Sequence, residues 1–85
     1  MTTSYYISWM VRATNQSRRW YTSPYVDTEA QSRALFEAKM ARPNVREAYL
    51  YKRDHYDASE LTPTYAAKHP EGSNAFTQLA AYCRV

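Results

Sequence analysis

Isoleucine and leucine together fill only five of the 85 positions: Ile7, Leu35, Leu50, Leu61 and Leu79. A chain this short buries only about 60–65% of the surface that it exposes unfolded. It has to make its core from something other than branched aliphatics. Nine tyrosines, two tryptophans and two phenylalanines supply the missing bulk. Tyrosine offers a rigid apolar ring and a hydroxyl that tolerates water, which suits contact surfaces as well as cores. Some of the tyrosines must therefore stand in for leucine, and the remainder is available to a partner. The length allows one domain, residues 1–85.

Glycine is the opposite case. The chain has one, Gly72, so a glycine-rich phosphate-binding loop is excluded. Eleven basic residues against eight acidic ones give a net charge of +3. That argues against an acidic mimic of DNA and falls short of the field of a DNA-packing protein. The single cysteine, Cys83, excludes an internal disulfide framework and suits a reducing compartment. Met1-Thr2-Thr3-Ser4 lacks a basic leader region, and no apolar run reaches membrane length. A cytoplasmic protein with no membrane partner is expected.

Period-two alternation marks Ser4–Ala13 as a strand, with Tyr5, Ile7, Trp9, Val11 and Ala13 on one face and Tyr6, Ser8, Met10 and Arg12 on the other. Thr14–Arg18 reads as a hairpin loop, Arg19–Ser23 as the return strand and Pro24 as its stop. Asp27 or Thr28 can serve as N-cap, and Thr28 with Gln31 fits a capping box, which opens a helix over Glu29–Arg42 that Pro43 ends. Ala30, Ala34, Ala38 and Ala41, with Leu35 beside them, form the stripe expected to lie on a sheet; Phe36 and Met40 sit on another flank. Val45–Arg53 reads as a strand covered on both faces. Asp54–Asn74 reads as a long loop in which Glu60–Lys68 can hide a helical turn. Ala75–Val85 fits both a strand and a helix, and the strand is preferred. The expected fold is α+β: an antiparallel sheet of three to four strands with one helix packed on a face.

Catalytic chemistry finds little footing. His55 and His69 lie at no metal-ligand spacing. Asp54-His55-Tyr56-Asp57 places two carboxylates around an imidazole, yet it reads more simply as a solvated loop with an Asx turn at Asp57. Cys83 lacks a visible base and reads as a buried packing thiol. No enzyme activity, cofactor or metal is expected.

Binding has better candidates. Arg18-Arg19-Trp20-Tyr21 joins two guanidinium groups to two rings, with Arg12 across the hairpin and Tyr6 and Met10 on its face. Arginine with stackable rings is what a single-strand nucleic-acid binder combines, although the RNA-recognition strand motif, which needs glycines, is absent. Tyr, Trp, Arg and Met are equally the residues of protein hot spots. An open sheet face bearing Tyr6, Met10, Arg12 and Tyr21, or a helix flank bearing Phe36 and Met40, would serve a protein partner. Trp20 under the sheet and Phe36 in the core are the competing structural readings. Tyr5, Tyr49 and Tyr51 read as structural.

The layout resembles small phage-encoded inhibitors of the anti-CRISPR type. The likeness rests on Tyr5-Tyr6-Ile7 opening a strand, Asp27-Thr28-Glu29-Ala30-Gln31 opening a helix and Tyr49-Leu50-Tyr51 in the next strand. It implies a non-enzymatic inhibitor, in the host cell cytoplasm, that occupies a surface of a host protein or nucleoprotein complex. The expected contact residues are Tyr6, Met10, Arg12, Arg18, Arg19, Trp20 and Tyr21, in a monomer or a homodimer. A small RNA- or single-stranded-DNA-binding protein is the alternative.

Overall fold

The computed structural model of the protein describes residues 1–12 and 17–84. Ala13, the loop residues Thr14–Gln16 and Val85, all assigned from sequence, lie outside the described residues. Four strands, β1 (Thr2–Arg12), β2 (Arg18–Thr22), β3 (Val45–Tyr56) and β4 (Ser73–Cys83), form one antiparallel sheet in the order β2-β1-β3-β4. Helix α1 (Glu29–Met40) links β2 to β3 and packs on one face of β1 and β3. This is the expected α+β arrangement.

The termini of α1 follow from its sequence. Thr28 is the N-cap, and its hydroxyl accepts the Gln31 N–H at 3.2 Å. The helix stops at Met40, two residues before the expected Arg42, with Ala41 as C-cap. Arg84 supplies part of the missing capping at this end, donating to the Met40 carbonyl at 3.1 Å.

The face that α1 buries is not the alanine stripe. Ala30, Ala34, Ala38 and Ala41 are exposed, as is Leu35, while Ser32 and Phe36 are buried and Met40 packs beside them. Phe36 is the largest apolar side chain on the helix, and burying a ring removes far more surface from water than burying alanines. Ser32 accompanies it at no cost in lost hydrogen bonding, because its hydroxyl donates to the Glu29 carbonyl at 2.7 Å. Phe36 meets Ile7, Val45, Ala48 and Leu50, with Trp9, Val11, Leu79, Ala80 and Tyr82 around them. Lys39 closes one side with its Nζ 4.1 Å above the Trp9 ring.

The segment between β3 and β4 is more ordered than a loop. Asp54, His55 and Tyr56 belong to β3, which runs three residues beyond its expected end. A 3-10 turn at Ala58–Glu60 and helix α2 (Pro63–Lys68) follow, so the hidden helical turn is present. Asp57 caps the 3-10 turn, and its N–H donates to the Glu60 carboxylate at 2.7 Å. Gly72 turns the chain into β4 at φ +92°, where an added Cβ would lie 2.3 Å from the Tyr56 carbonyl oxygen. The one glycine is thus spent on a turn that only glycine fits.

The C-terminal stretch is a strand, as preferred, but the alternation expected of it, with Thr77, Leu79, Ala81 and Cys83 on one face and Tyr82 outward, breaks after Leu79. A bulge in the β3–β4 register lets Ala80 pair with Leu50 and Gln78 with Tyr51. Leu79, Ala80 and Tyr82 then pack on the core, and Cys83 is exposed rather than a buried thiol.

The core is one-sided and covers little of the sheet. Three strands of 11–12 residues span about 36 Å at 3.3 Å per residue, whereas the 12 residues of α1 span about 18 Å. The Cα radius of gyration is 16.1 Å, against about 12 Å for a compact chain of this length. Among the described residues, none forms a second layer on the face opposite α1.

Candidate binding face

Directly paired residues on neighbouring strands project to the same face, so register decides what the uncovered side presents. Tyr6 pairs with Tyr51, Ser8 with Tyr49 and with Thr22, Met10 with Glu47 and with Trp20, and Arg12 with Arg18. On β4, Phe76 pairs with Arg53, which in turn pairs with Ser4. These residues belong to the open face. Trp9 pairs with Tyr21 and Val11 with Arg19; that set belongs to the helix side.

The seven residues expected to act together are therefore divided. Tyr6, Met10, Arg12, Arg18 and Trp20 share the open face, whereas Arg19 and Tyr21 stand on the other. Tyr21 stacks on Trp9 with ring centroids 5.7 Å apart. Met10 is 4% exposed and acts as floor rather than contact. Trp20, by contrast, does not pack under the sheet: it is 54% exposed.

The open face also gathers rings that sequence reading assigned to structure. Trp20 stacks on Tyr49 at 6.1 Å, Tyr49 lies 6.4 Å from Tyr51, and Tyr51 stacks on Tyr6 at 5.1 Å. Tyr6 in turn meets Tyr25 and Phe76 edge to face, at 5.4 and 6.2 Å. Six rings from four strands and the β2–α1 connection form one connected array. Its diagonal course depends on Ser8, whose small side chain stands between Tyr49 and Thr22 and leaves Trp20 room to reach Tyr49. Tyr25 is held in place by the Arg53 guanidinium 4.0 Å above its ring, and by the pairing of Val26 with Tyr5. Tyr25 and Phe76 are as exposed as Trp20, about half.

The phenols carry the electrostatic signature of this packing. Tyr49 donates a 2.5 Å hydrogen bond to Glu47, and this bond, followed by burial, pushes its pKa up to about 12. Burial, then the neighbouring Tyr51 and Tyr25 phenols, raises that of Tyr6. Both groups stay neutral donors throughout the physiological range.

Charge on this face is unevenly distributed. Arg12, Arg18 and Arg53 lie on it and Arg46 lines a cavity at its β2 end, whereas Glu47 is its acidic residue. The other seven carboxylates of the chain stand on α1 and its approach, on the helix side of β3, or around α2.

Elsewhere the titratable groups pair locally. His55 shares a 2.8 Å hydrogen bond with Asn74 and lies 3.6 Å from Asp57, which places the histidine–carboxylate cluster on an exposed strand end. Among the described residues, no group of three histidine, cysteine or carboxylate side chains is placed to hold a metal ion, and no helix is long and apolar enough to cross a membrane. No family model matches the chain, and comparison with curated proteins and with solved structures also yields no match.

Proposed function

We propose that this is a non-enzymatic binding protein whose open sheet face occupies a surface of a host protein or nucleoprotein complex, acting as a small inhibitor or regulator. The observation that carries this reading is the connected array of Trp20, Tyr49, Tyr51, Tyr6, Tyr25 and Phe76 on a sheet face with no second layer. Six rings left on one side of a domain with so few aliphatics are a large apolar area kept out of the core, which marks an interaction surface. The way the rings stand favours protein over bases along the middle of the array. Tyr6, Tyr49 and Tyr51 spend their faces on one another, so ring edges remain for a partner, and rigid amphipathic edges suit a protein surface. The resemblance to anti-CRISPR inhibitors implies the same mode of action.

Self-association of the open faces has weaker support. Packed against itself, the face would set its arginines against a surface whose acidic residue is Glu47, whichever way the two-fold axis runs.

The test is capture from host lysate by the wild type, by Trp20→Ala/Phe76→Ala on the open face and by Leu35→Ser on the outer side of α1. The partner should be retained by the wild type and by Leu35→Ser, and lost by the open-face variant. Retention by the open-face variant would remove the reading. If light scattering shows a dimer that the same open-face variant abolishes, the face serves self-association instead.

A further inference from the structure

At the β2 end of the open face, Met10, Arg12, Arg18, Arg46, Glu47, Cys83 and Arg84 line a half-open cavity of about 280 Å³. Arg12, Arg18 and Arg46 line it together with a single carboxylate, Glu47, while the guanidinium of Arg84 is turned to the Met40 and Pro43 carbonyls. Like charges gathered this way repel one another unless an anion sits among them. Glu47 is the one carboxylate beside Arg18 and Arg46, and it already accepts the Tyr49 hydroxyl.

The donors are not all committed. Arg84 is anchored, giving Nε to the Tyr82 hydroxyl at 2.7 Å and other donors to the Met40 and Pro43 carbonyls. Arg18 and Arg46 take no part in the ion pairs formed among the described residues. The Nε of Arg46 is buried without a hydrogen-bond partner. A buried charged donor left in that state costs more than an exposed one, and an oxyanion in the cavity would satisfy it. The cavity floor is Met10, which keeps the site partly dry and strengthens the attraction.

We propose that this cavity binds a phosphate group of a single-stranded nucleic acid. Guanidinium forks match phosphate geometry, taking two oxygens at once. The neighbouring ring decides between a nucleic acid and an isolated anion. Trp20 pairs with Met10 and stands two residues from Arg18 on the same face, about 7 Å along β2. Its half-exposed indole offers a stacking surface beside the phosphate site, and that pairing of charge with a stackable ring is how single strands are held. Trp20 ends the array and so keeps ring surface that the inner tyrosines have spent.

The inference extends the proposed function and rests on it for the wider setting. Tyrosine edges would meet the protein part of a nucleoprotein complex while the arginine cavity takes a phosphate of its nucleic acid. The site stands or falls without the protein partner, because it can be measured on the isolated chain.

The experiment is fluorescence anisotropy of a labelled oligothymidylate titrated with the full-length protein over a series of salt concentrations. The wild type should bind, and affinity should fall with salt at a log–log slope of about 0.7 per phosphate contacted. Arg18→Gln and Arg46→Gln should each reduce that slope by about 0.7, and Arg46→Lys should restore part of the affinity. Inorganic phosphate should compete. Overturning results are no binding by the wild type at low salt, an unchanged slope in both glutamine variants, or equal affinity for polyglutamate of the same charge. The last would assign the cavity to protein carboxylates. Any of these results leaves the lysate capture by the tyrosine face unaffected, so the two readings fail separately.

Discussion

The phenol ring of Tyr6 lies on that of Tyr51 across the β1–β3 pair, with centroids 5.1 Å apart and planes 21° from parallel. These two residues face each other on the central strands, on the side that α1 leaves bare. A pair of this kind adds about 0.5–1.5 kcal/mol beyond the area that it buries. A double-mutant cycle with Tyr6→Ala and Tyr51→Ala, followed by urea unfolding, should return a coupling energy in that range. Additive effects would show that the rings do not touch in solution.

Phe36 is the apolar side chain that α1 buries in the centre of the core. Its replacement by alanine should destabilise the protein by about 3–5 kcal/mol, enough to unfold most of a domain this small. Leu35→Ala, one residue along and exposed, should stay within about 0.5 kcal/mol. Equal losses from the two would restore the alanine and leucine stripe as the packing face.

Gly72 has a different kind of sensitivity. Gly72→Ala should cost more than about 1 kcal/mol, since alanine is strained at positive φ and its Cβ would collide with the Tyr56 carbonyl. A thermal melt measures it. An unchanged midpoint would mean that the turn into β4 differs from the one described.

Tyr49 links the aromatic array to pH. Its folded-state pKa of about 12 lies above the usual phenol value near 10, because the native state holds the proton in the bond to Glu47. The stabilisation is therefore complete below pH of about 10 and is lost as pH rises toward 12. Ultraviolet titration of the native protein should show a phenol ionising well after the exposed ones, and Glu47→Gln should bring it down. Nine phenols titrating together near 10 would contradict the hydrogen bond.

Much of the fold follows from local sequence. The alternation from Tyr5 to Arg12 and the Thr28–Gln31 cap identify β1 and the start of α1, because both signals lie within a few residues of one another. Faces were harder to read, for reasons that are not local. Sequence reasoning grouped Tyr21 with Tyr6 and Met10, whereas Met10 pairs with Trp20. On a five-residue strand this is a one-residue slip, and such a slip exchanges the two faces completely. The bulge that brings Ala80 opposite Leu50 has the same effect on β4. From sequence alone Tyr49 and Tyr51 read as structural, because their strand shows no clean alternation. Only the register with Tyr6, together with the small Ser8 opposite Tyr49, shows that they join a continuous array. On α1, four alanines in line suggested the packing face, but a single phenylalanine outweighed them.

The most direct test of binding through the open face is the dissociation constant of the captured partner for wild type, Trp20→Ala and Leu35→Ala. Trp20 stands at an exposed end of the ring array, and truncating a tryptophan hot spot costs at least about 2 kcal/mol, or about 30-fold in affinity. Trp20→Ala should show that loss, with Leu35→Ala indistinguishable from wild type. Unchanged affinity in Trp20→Ala, or an equal loss in Leu35→Ala, would contradict binding through the open face.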